Sequence, residues 1–205
     1  MKLAVLGASG HGKVVAETAR VAGWSEIVFF DDAWMGKRFV RHHPVVGDAA
    51  AMVRSAAEFD GVIVAIGNNR VRLDKTRALV DAGAKVVSVI HPTAVVSESS
   101  SVEQGSVIMA GAVIQAAASL GAACIVNTNA SVDHDCRLAD GVHVCPGVAI
   151  SGDVISGECA WFGVGACVRQ GVRIGADAVI GAGAAVVKDV EPGTTVIGVP
   201  ARPAS

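Results

Sequence analysis

A glycine-rich turn near the start of the chain has the residue types that bind phosphate. Residues 7–13 read GASGHGK, which fits the GxxxxGK half of a phosphate-binding loop but departs from the GxGxxG dinucleotide fingerprint. Val14 stands where such loops carry the Ser or Thr that holds magnesium, and no acidic strand of the partner motif follows. The turn therefore does not fit nucleotide hydrolysis, although its backbone N–H groups still suit an anion.

A histidine and an aspartate stand side by side in the segment VDHDC, at His134 and Asp135. Histidine has an unperturbed pKa of about 6.5, which suits removal of a proton at neutral pH. A carboxylate beside it can orient the imidazole and stabilise its cationic form. Because adjacent strand residues point to opposite faces, Asp135 either acts through a turn or reaches a histidine across a subunit boundary.

The five cysteines are odd in number and form no CxxC pair. This pattern gives no zinc site and no redox motif, so we expect reduced thiols and no metal. They are Cys124, Cys136, Cys145, Cys159 and Cys167.

The sequence pattern of the secondary-structure elements that must position these groups changes near residue 90. Before it, apolar runs such as KLAVLG, EIVFFDD and GVIVAIG alternate with helix-like stretches such as GKVVAETARVAG and RVRLDKTRALVDAG. Continuous apolar strands between amphipathic segments indicate βαβ units and a parallel sheet covered by helices. We expect a small Rossmann-like α/β domain over residues 1–89.

From Ile90 to Val186 the sequence repeats every six residues. Sixteen of the seventeen positions counted in this way are large and apolar, with Ser156 as the exception. The residue four places after each is small or valine. Such a repeat predicts a triangular coil of short parallel strands, in which about 18 residues make one turn. Residues 90–205 therefore form a second domain, and Gly152 lies directly over His134.

Several motifs together show a resemblance to a known family. They are GASGHGKV, AIGNN, NTNASVDHDC, HVCPG and GVPAR. With them the chain resembles the sialic acid and bacterial amino-sugar acetyltransferases of the hexapeptide-repeat superfamily, in particular the N-acetyltransferases of UDP- or GDP-linked 4-amino sugars. The resemblance implies a left-handed parallel β-helix, acetyl-CoA as co-substrate and a homotrimer.

In the coil, the resemblance implies that His134 is the general base and that Asp135 assists it. It places the second histidine, His143, against acetyl-CoA. From the spacing of 18 residues we also expect the bare N–H of Gly152 to donate to the thioester oxygen as negative charge develops. Other residues that the resemblance assigns to the acetyl-CoA cleft are Asn127, Val164, Gly181 and Ala182.

In the front domain, the resemblance implies a site for the sugar nucleotide. Ser9, Gly10 and His11 would lie near the phosphate or sugar, and Asp31 and Asp32 near the nucleoside. Gly67 and Asn68 would follow the next strand, at the edge of the sheet where open α/β folds bind ligands.

Three other functions are compatible with parts of the pattern. The first is O-acetylation of sialic acid or another sugar hydroxyl, since His134 can equally deprotonate an alcohol. The second is a non-catalytic scaffold, against which His134, Asp135 and His143 count together. The third is a nicotinamide-dependent oxidoreductase, for which the coil supplies no hydride-acceptor site.

Composition and charge further narrow the classes of binding partner. A net charge of −2, from 17 basic and 19 acidic residues, gives no reason to expect nucleic acid. No apolar run approaches the roughly 18 residues that span a bilayer. The start MKLAVLG runs straight into a strand and a glycine turn without a signal peptide, so we expect a cytoplasmic protein that does not insert into membranes.

Overall fold

The computed structural model describes residues 1–36 and 38–204, and it divides into two compact units. The first is Met1–Pro92 and the second begins at Thr93. The first unit is α/β and the second is a parallel β coil, as the sequence predicts. No helix within the described ranges is long and apolar enough to cross a membrane.

The first unit alternates strands and helices. In chain order they are β1 (Lys2–Leu6), α1 (Gly10–Val21), β2 (Glu26–Phe30), β3 (Phe39–Val40), β4 (His43–Pro44), α2 (Ala49–Ser55), β5 (Gly61–Val64), α3 (Asn69–Asp81) and β6 (Val89–Ile90), with 3-10 turns at Trp34–Gly36 and Ala56–Glu58. Strands β2, β1 and β5 form a parallel sheet in that order, and β3 and β4 form an antiparallel hairpin. In the apolar run KVVSVI at residues 85–90, Val86 bridges to this sheet at Val62.

The order of the sheet creates a crevice at the carboxyl ends of β1 and β5. The chain leaves β1 through α1 toward β2 on one side, while β5 lies on the other side of β1. Ligands of open α/β sheets bind where the connections of neighbouring strands diverge in this way. The turn at residues 7–11 and the loop at residues 66–68 follow these two strands and therefore line this crevice.

The second unit consists of strands of two or three residues. In chain order they are β7 (Val95–Val96), β8 (Ser101–Val102), β9 (Val107–Ile108), β10 (Val113–Ile114), β11 (Ser119–Leu120), β12 (Ile125–Val126), β13 (Ser131–Val132), β14 (Arg137–Leu138), β15 (His143–Val144), β16 (Ala149–Ile150), β17 (Ile155–Ser156), β18 (Trp161–Phe162), β19 (Cys167–Val168), β20 (Arg173–Ile174), β21 (Val179–Ile180), β22 (Ala185–Val186), β23 (Thr195–Ile197) and β24 (Arg202–Pro203).

These strands form the three faces of a triangular prism. Face 1 contains β7, β10, β13, β16, β19 and β22; face 2 contains β8, β11, β14, β17 and β20; face 3 contains β9, β12, β15, β18, β21, β23 and β24. Within each face, strands up to β22 pair in parallel with an offset of 18 residues, as between Ser131 and Ala149. The predicted 18-residue turn is therefore confirmed.

The prism interior is filled by the predicted six-residue series. The second residue of every strand from β9 to β22 is at most 3% exposed. Ser156, the exception in the series, is also buried, and its hydroxyl donates a hydrogen bond to the Gly157 carbonyl at 3.2 Å. Burial of a hydroxyl is tolerated here because it has an acceptor.

The corners of the prism share one backbone conformation. Every sixth residue from Gly105 to Gly183 has a positive φ between 54° and 76°. Seven of these fourteen residues are not glycine, among them Asp135 and Asp153. The left-handed conformation turns the chain from one face to the next, and it re-aims the side chain at that position.

Candidate active site

His134 and Asp135 lie in the turn between faces 1 and 2, which we call the 1–2 edge (residues 133–136 and 151–154). Asp135 has a φ of 59°, and its Oδ2 lies 2.8 Å from Nδ1 of His134 in the same chain. The left-handed turn thus brings together two neighbours that an extended strand would point apart. With Nδ1 held by the carboxylate, Nε2 is the ring nitrogen left for a reactant.

The surroundings of His134 favour its protonated form. The hydrogen bond to Asp135 is the main cause that raises the pKa of His134 above its usual 6.5, and the charges of Asp133, Asp135 and Asp153 add to it. The slight burial of the ring acts in the opposite direction. A half-exposed imidazole made more basic in this way can accept a proton from an attacking group.

Gly152 lies one turn of the coil above His134, as the repeat predicts. A Cβ added to Gly152 would come within 2.5 Å of both Cε1 and Nε2 of the imidazole. The N–H of Asp153 donates to the His134 carbonyl at 2.9 Å and fixes the two turns together. Only glycine therefore leaves room for the ring in this position.

The second predicted histidine, His143, is buried on face 3. Its Nε2 lies 3.4 Å from Nδ2 of Asn127, so these two predicted residues are neighbours. The indole of Trp161 packs against the imidazole edge-on, with ring centroids 4.3 Å apart. Sequence reasoning missed Trp161, although the repeat places it 18 residues after His143.

Val164, Gly181 and Ala182 lie in the turns between faces 3 and 1, which we call the 3–1 edge (residues 127–130, 145–148, 163–166 and 181–184). Val164 and Ala182 are exposed and stack one turn apart, and the Val164 carbonyl accepts from the Gly183 N–H at 2.8 Å. Asn127 begins the same edge. The exposed side chains of Val164 and Ala182 thus form a column along this edge.

The predicted coil residues therefore fall into two groups. His134, Asp135 and Gly152 are on the 1–2 edge, whereas Asn127, Val164 and the Gly181–Ala182 pair are on the 3–1 edge, with His143 on the adjoining face 3. These are different edges of one prism. A single chain does not bring the two groups together.

In the first unit, the crevice turn is held by Asp31. Its two carboxylate oxygens accept from the N–H groups of Ala8 at 2.7 Å and Ala33 at 2.9 Å. Asp31 therefore stabilises the backbone of this turn. Asp32 is exposed; it accepts from the Ala49 N–H at 3.0 Å and pairs with Lys75 at 3.6 Å.

The other predicted residues of the first unit line the same crevice. Ser9 and Gly10 are exposed where α1 begins, and Asn68 caps α3 by accepting from the Val71 N–H at 3.0 Å. Gly67 precedes this cap. Burial, and then the charge of Arg72, lowers the pKa of His11 to about 4, so His11 is neutral at neutral pH.

Two of the buried thiols, those of Cys136 and Cys145, have raised pKa values. Burial raises the pKa of Cys136, whose Sγ donates to the Ser151 carbonyl at 3.2 Å. Burial also raises the pKa of Cys145 to about 11. Both thiols are therefore protonated at neutral pH. Within residues 1–36 and 38–204, no three His, Cys, Asp or Glu side chains gather as a metal site.

Comparison with known proteins places this architecture among sugar acetyltransferases. Residues 2–79 match the PglD N-terminal domain family. GDP-perosamine N-acetyltransferase of Escherichia coli O157:H7 is 31% identical over 182 residues, which cover 86% of this chain and 81% of that protein.

Two solved structures are similar over nearly their full length. The acetyltransferase domain of PglB from Neisseria gonorrhoeae, in complex with acetyl coenzyme A, has a TM-score of 0.95 and 46% identity, covering 99% of this chain and 98% of that one. A histidine-to-asparagine variant of perosamine N-acetyltransferase from Caulobacter crescentus, in complex with CoA and GDP-perosamine, has a TM-score of 0.95 and 40% identity, covering 100% and 97%.

Proposed function

Because this chain belongs to the hexapeptide-repeat family of sugar acetyltransferases with a left-handed β-helix, we propose that it transfers acetyl from acetyl-CoA to the 4-amino group of a nucleotide-linked sugar. The observation that carries the proposal is the His134–Asp135 pair beneath Gly152, in a fold that matches such enzymes from end to end. Relatives were solved with acetyl coenzyme A, or with CoA and GDP-perosamine, which supports the two substrates.

The geometry supports direct transfer through a general base. The amine nitrogen forms a bond to the acetyl carbon, and the carbon–sulfur bond of the thioester breaks. His134 Nε2 accepts the proton that the amine loses and returns it to the departing sulfur of CoA. Asp135 holds Nδ1 and stabilises the imidazolium between these two events.

A homotrimer would complete the site that one chain leaves divided. The base is on the 1–2 edge and the residues proposed to bind acetyl-CoA are on and beside the 3–1 edge, so both reach one acetyl group only if neighbouring prisms pair these edges. A threefold arrangement pairs these edges at three equivalent interfaces, which all use one kind of contact.

Five free cysteines fit a reducing compartment, and we propose the cytoplasm.

The direct test of the proposed function is a panel of acceptors. We expect the protein, given acetyl-CoA, to release free thiol with UDP-, GDP- or dTDP-linked 4-amino sugars and not with their 4-hydroxy counterparts. Mass spectrometry of the products would show one added acetyl group. Turnover of only the hydroxy sugars would replace this proposal with O-acetylation.

The pH dependence should report the His134–Asp135 pair. His134 must be neutral to act, so kcat/KM falls on the acid side with an inflection above the usual pKa of about 6.5. In Asp135→Asn the carboxylate charge and its charge-assisted hydrogen bond are replaced by a neutral amide, so the pKa of His134 falls and this inflection moves to lower pH. The plateau rate should also fall, by roughly 10–10²-fold, because the ring loses its orienting partner.

A matched control for this profile is Asp177→Asn. Asp177 has the same left-handed backbone, with a φ of 56°, but follows face 2 and lies away from His134. The kcat/KM profile of Asp177→Asn should show the same acid inflection as that of the wild type. The acceptor amine titrates identically with all three proteins, so an inflection that stays fixed in Asp135→Asn would disprove the assigned pairing.

A further inference from the structure

The largest fully buried side chain of the described residues is a cation, Arg72 of α3. Its Nη1 donates to the carbonyls of Ile66 at 3.1 Å and Gly67 at 3.2 Å, and its Nη2 donates to Oδ1 of Asn69 at 3.0 Å. Burying a charge is costly unless hydrogen bonds satisfy it. Here the guanidinium satisfies its charge by donating hydrogen bonds to the loop that follows β5.

These bonds fix the direction of two successive peptide groups. In a trans peptide the C=O and the following N–H point in opposite directions. Because the carbonyls of Ile66 and Gly67 turn toward Arg72, the N–H groups of Gly67 and Asn68 turn away from it. A Cβ on Gly67 would meet no atom within 4 Å, so there is open space beside this loop.

Arg72 also supplies positive charge at this place. His11 is neutral at neutral pH, since burial and then the charge of Arg72 lower its pKa to about 4. The arginine itself stays protonated. A buried charge is screened by salt much less than an exposed one, so its attraction for an anion in the crevice persists at physiological ionic strength.

We propose that Arg72 is a positioning residue for the acceptor substrate: it aims the N–H groups of Gly67 and Asn68 at the diphosphate of the nucleotide-linked sugar. The inference rests on the proposed function for the identity of the anion. Two adjacent N–H groups directed to one side form an anion-binding concavity, and a cation behind them strengthens it. Arg72 does not touch the substrate, because its own side chain is fully buried.

The test compares Arg72→Met, Arg72→Lys and the control Arg77→Met, which removes an exposed arginine from the same helix. We expect Arg72→Met to raise the KM for the nucleotide sugar by about tenfold or more and to leave the KM for acetyl-CoA within about twofold. Arg72→Lys keeps the charge but lacks the planar fork that reaches these acceptors together, so its KM should lie in between. Arg77→Met should match the wild type.

Calorimetry with UDP, GDP and dTDP separates this inference from the proposed function, since it needs no turnover. If the wild type acetylates no nucleotide sugar but binds one of the three nucleotides, weaker binding by Arg72→Lys than by Arg77→Met still supports the role of Arg72. Should Arg72→Met fail to fold, the Arg72→Lys variant decides. Unchanged nucleotide affinity and unchanged KM in a folded Arg72 variant overturn the inference, as does binding of none of the three nucleotides by the wild type.

Discussion

Replacing His134 by alanine should lower kcat by about 10²–10⁴-fold and leave the affinity for acetyl-CoA unchanged. The reason is that the imidazole accepts a proton only while the amine attacks, so its loss raises the barrier without removing a binding contact. Initial rates with both substrates varied, together with calorimetric titration of CoA, measure the two effects separately. The loss should be smaller for an amine than for an alcohol, because the amine is the better nucleophile.

The control for this variant is His42→Ala, which removes an exposed histidine of the first unit and should keep wild-type rates. Direct transfer also requires both substrates in the site together, so the wild type should show sequential kinetics. Parallel initial-rate lines, with a stable acetyl adduct on Cys136 or Cys145, would instead point to a covalent acyl-enzyme. The raised pKa values of these two thiols argue against that route.

If the protein is the proposed homotrimer, two nearly inactive variants should restore activity when they are assembled into one trimer. Ala182→Trp places a large side chain on the open 3–1 edge, and because Ala182 is exposed the coil should still fold. We expect it to lower kcat/KM for acetyl-CoA by on the order of 10²-fold. Co-expressed with His134→Ala, each mixed trimer keeps one site in which both edges are native, so its kcat/KM for acetyl-CoA should be about one third of the wild-type value.

The experiment needs mixed trimers free of either parent. Different affinity tags on the two variants and two successive purifications isolate them, and light scattering gives the mass. Pairing His134→Ala with Asp135→Asn, which lies on the same edge, is the control and should restore nothing. Inactive mixed trimers, or a monomeric mass at micromolar concentration, would show that each site lies within one chain.

Periodicity made the coil predictable in detail. A six-residue repeat over about a hundred residues fixes which side chain faces inward, so even the buried Ser156 follows from its place in the series. The stacking of Gly152 on His134 also follows from the 18-residue turn. The assignment of reactive roles to these residues depended on resemblance to a family and remains a proposal for each of them.

What the sequence left open depended on local backbone geometry and on contacts distant in sequence. For Asp135 it left a turn and a subunit boundary as alternatives, and the left-handed φ of Asp135 brings its carboxylate to the ring of His134 in the same chain. The hydrogen bonds of Asp31 to backbone N–H groups of the crevice turn were not predicted, and its expected place near a nucleoside stays a prediction.

The sequence contains a signal for the burial of Arg72, but the rarity of buried arginine conceals it. It lies on the buried stripe of α3 with Asn69, Leu73, Thr76 and Leu79, at helical spacing. A charged residue in such a stripe is easily assigned to the solvated side of a helix, because arginine is rarely buried. Only the structure shows the three acceptors that make its burial tolerable.

The uninterrupted frame of the coil limits how its gene can change in length. Deleting one codon anywhere between Val107 and Val186 would move every later residue of the repeat by one place and exchange interior for exterior side chains up to the end of the series. Losing or gaining 18 codons would keep each side chain on its face and each left-handed corner in place. Insertions and deletions during evolution should therefore comprise whole turns of the coil. The distance from His134 to either end of the prism should then vary among homologues in steps of one turn.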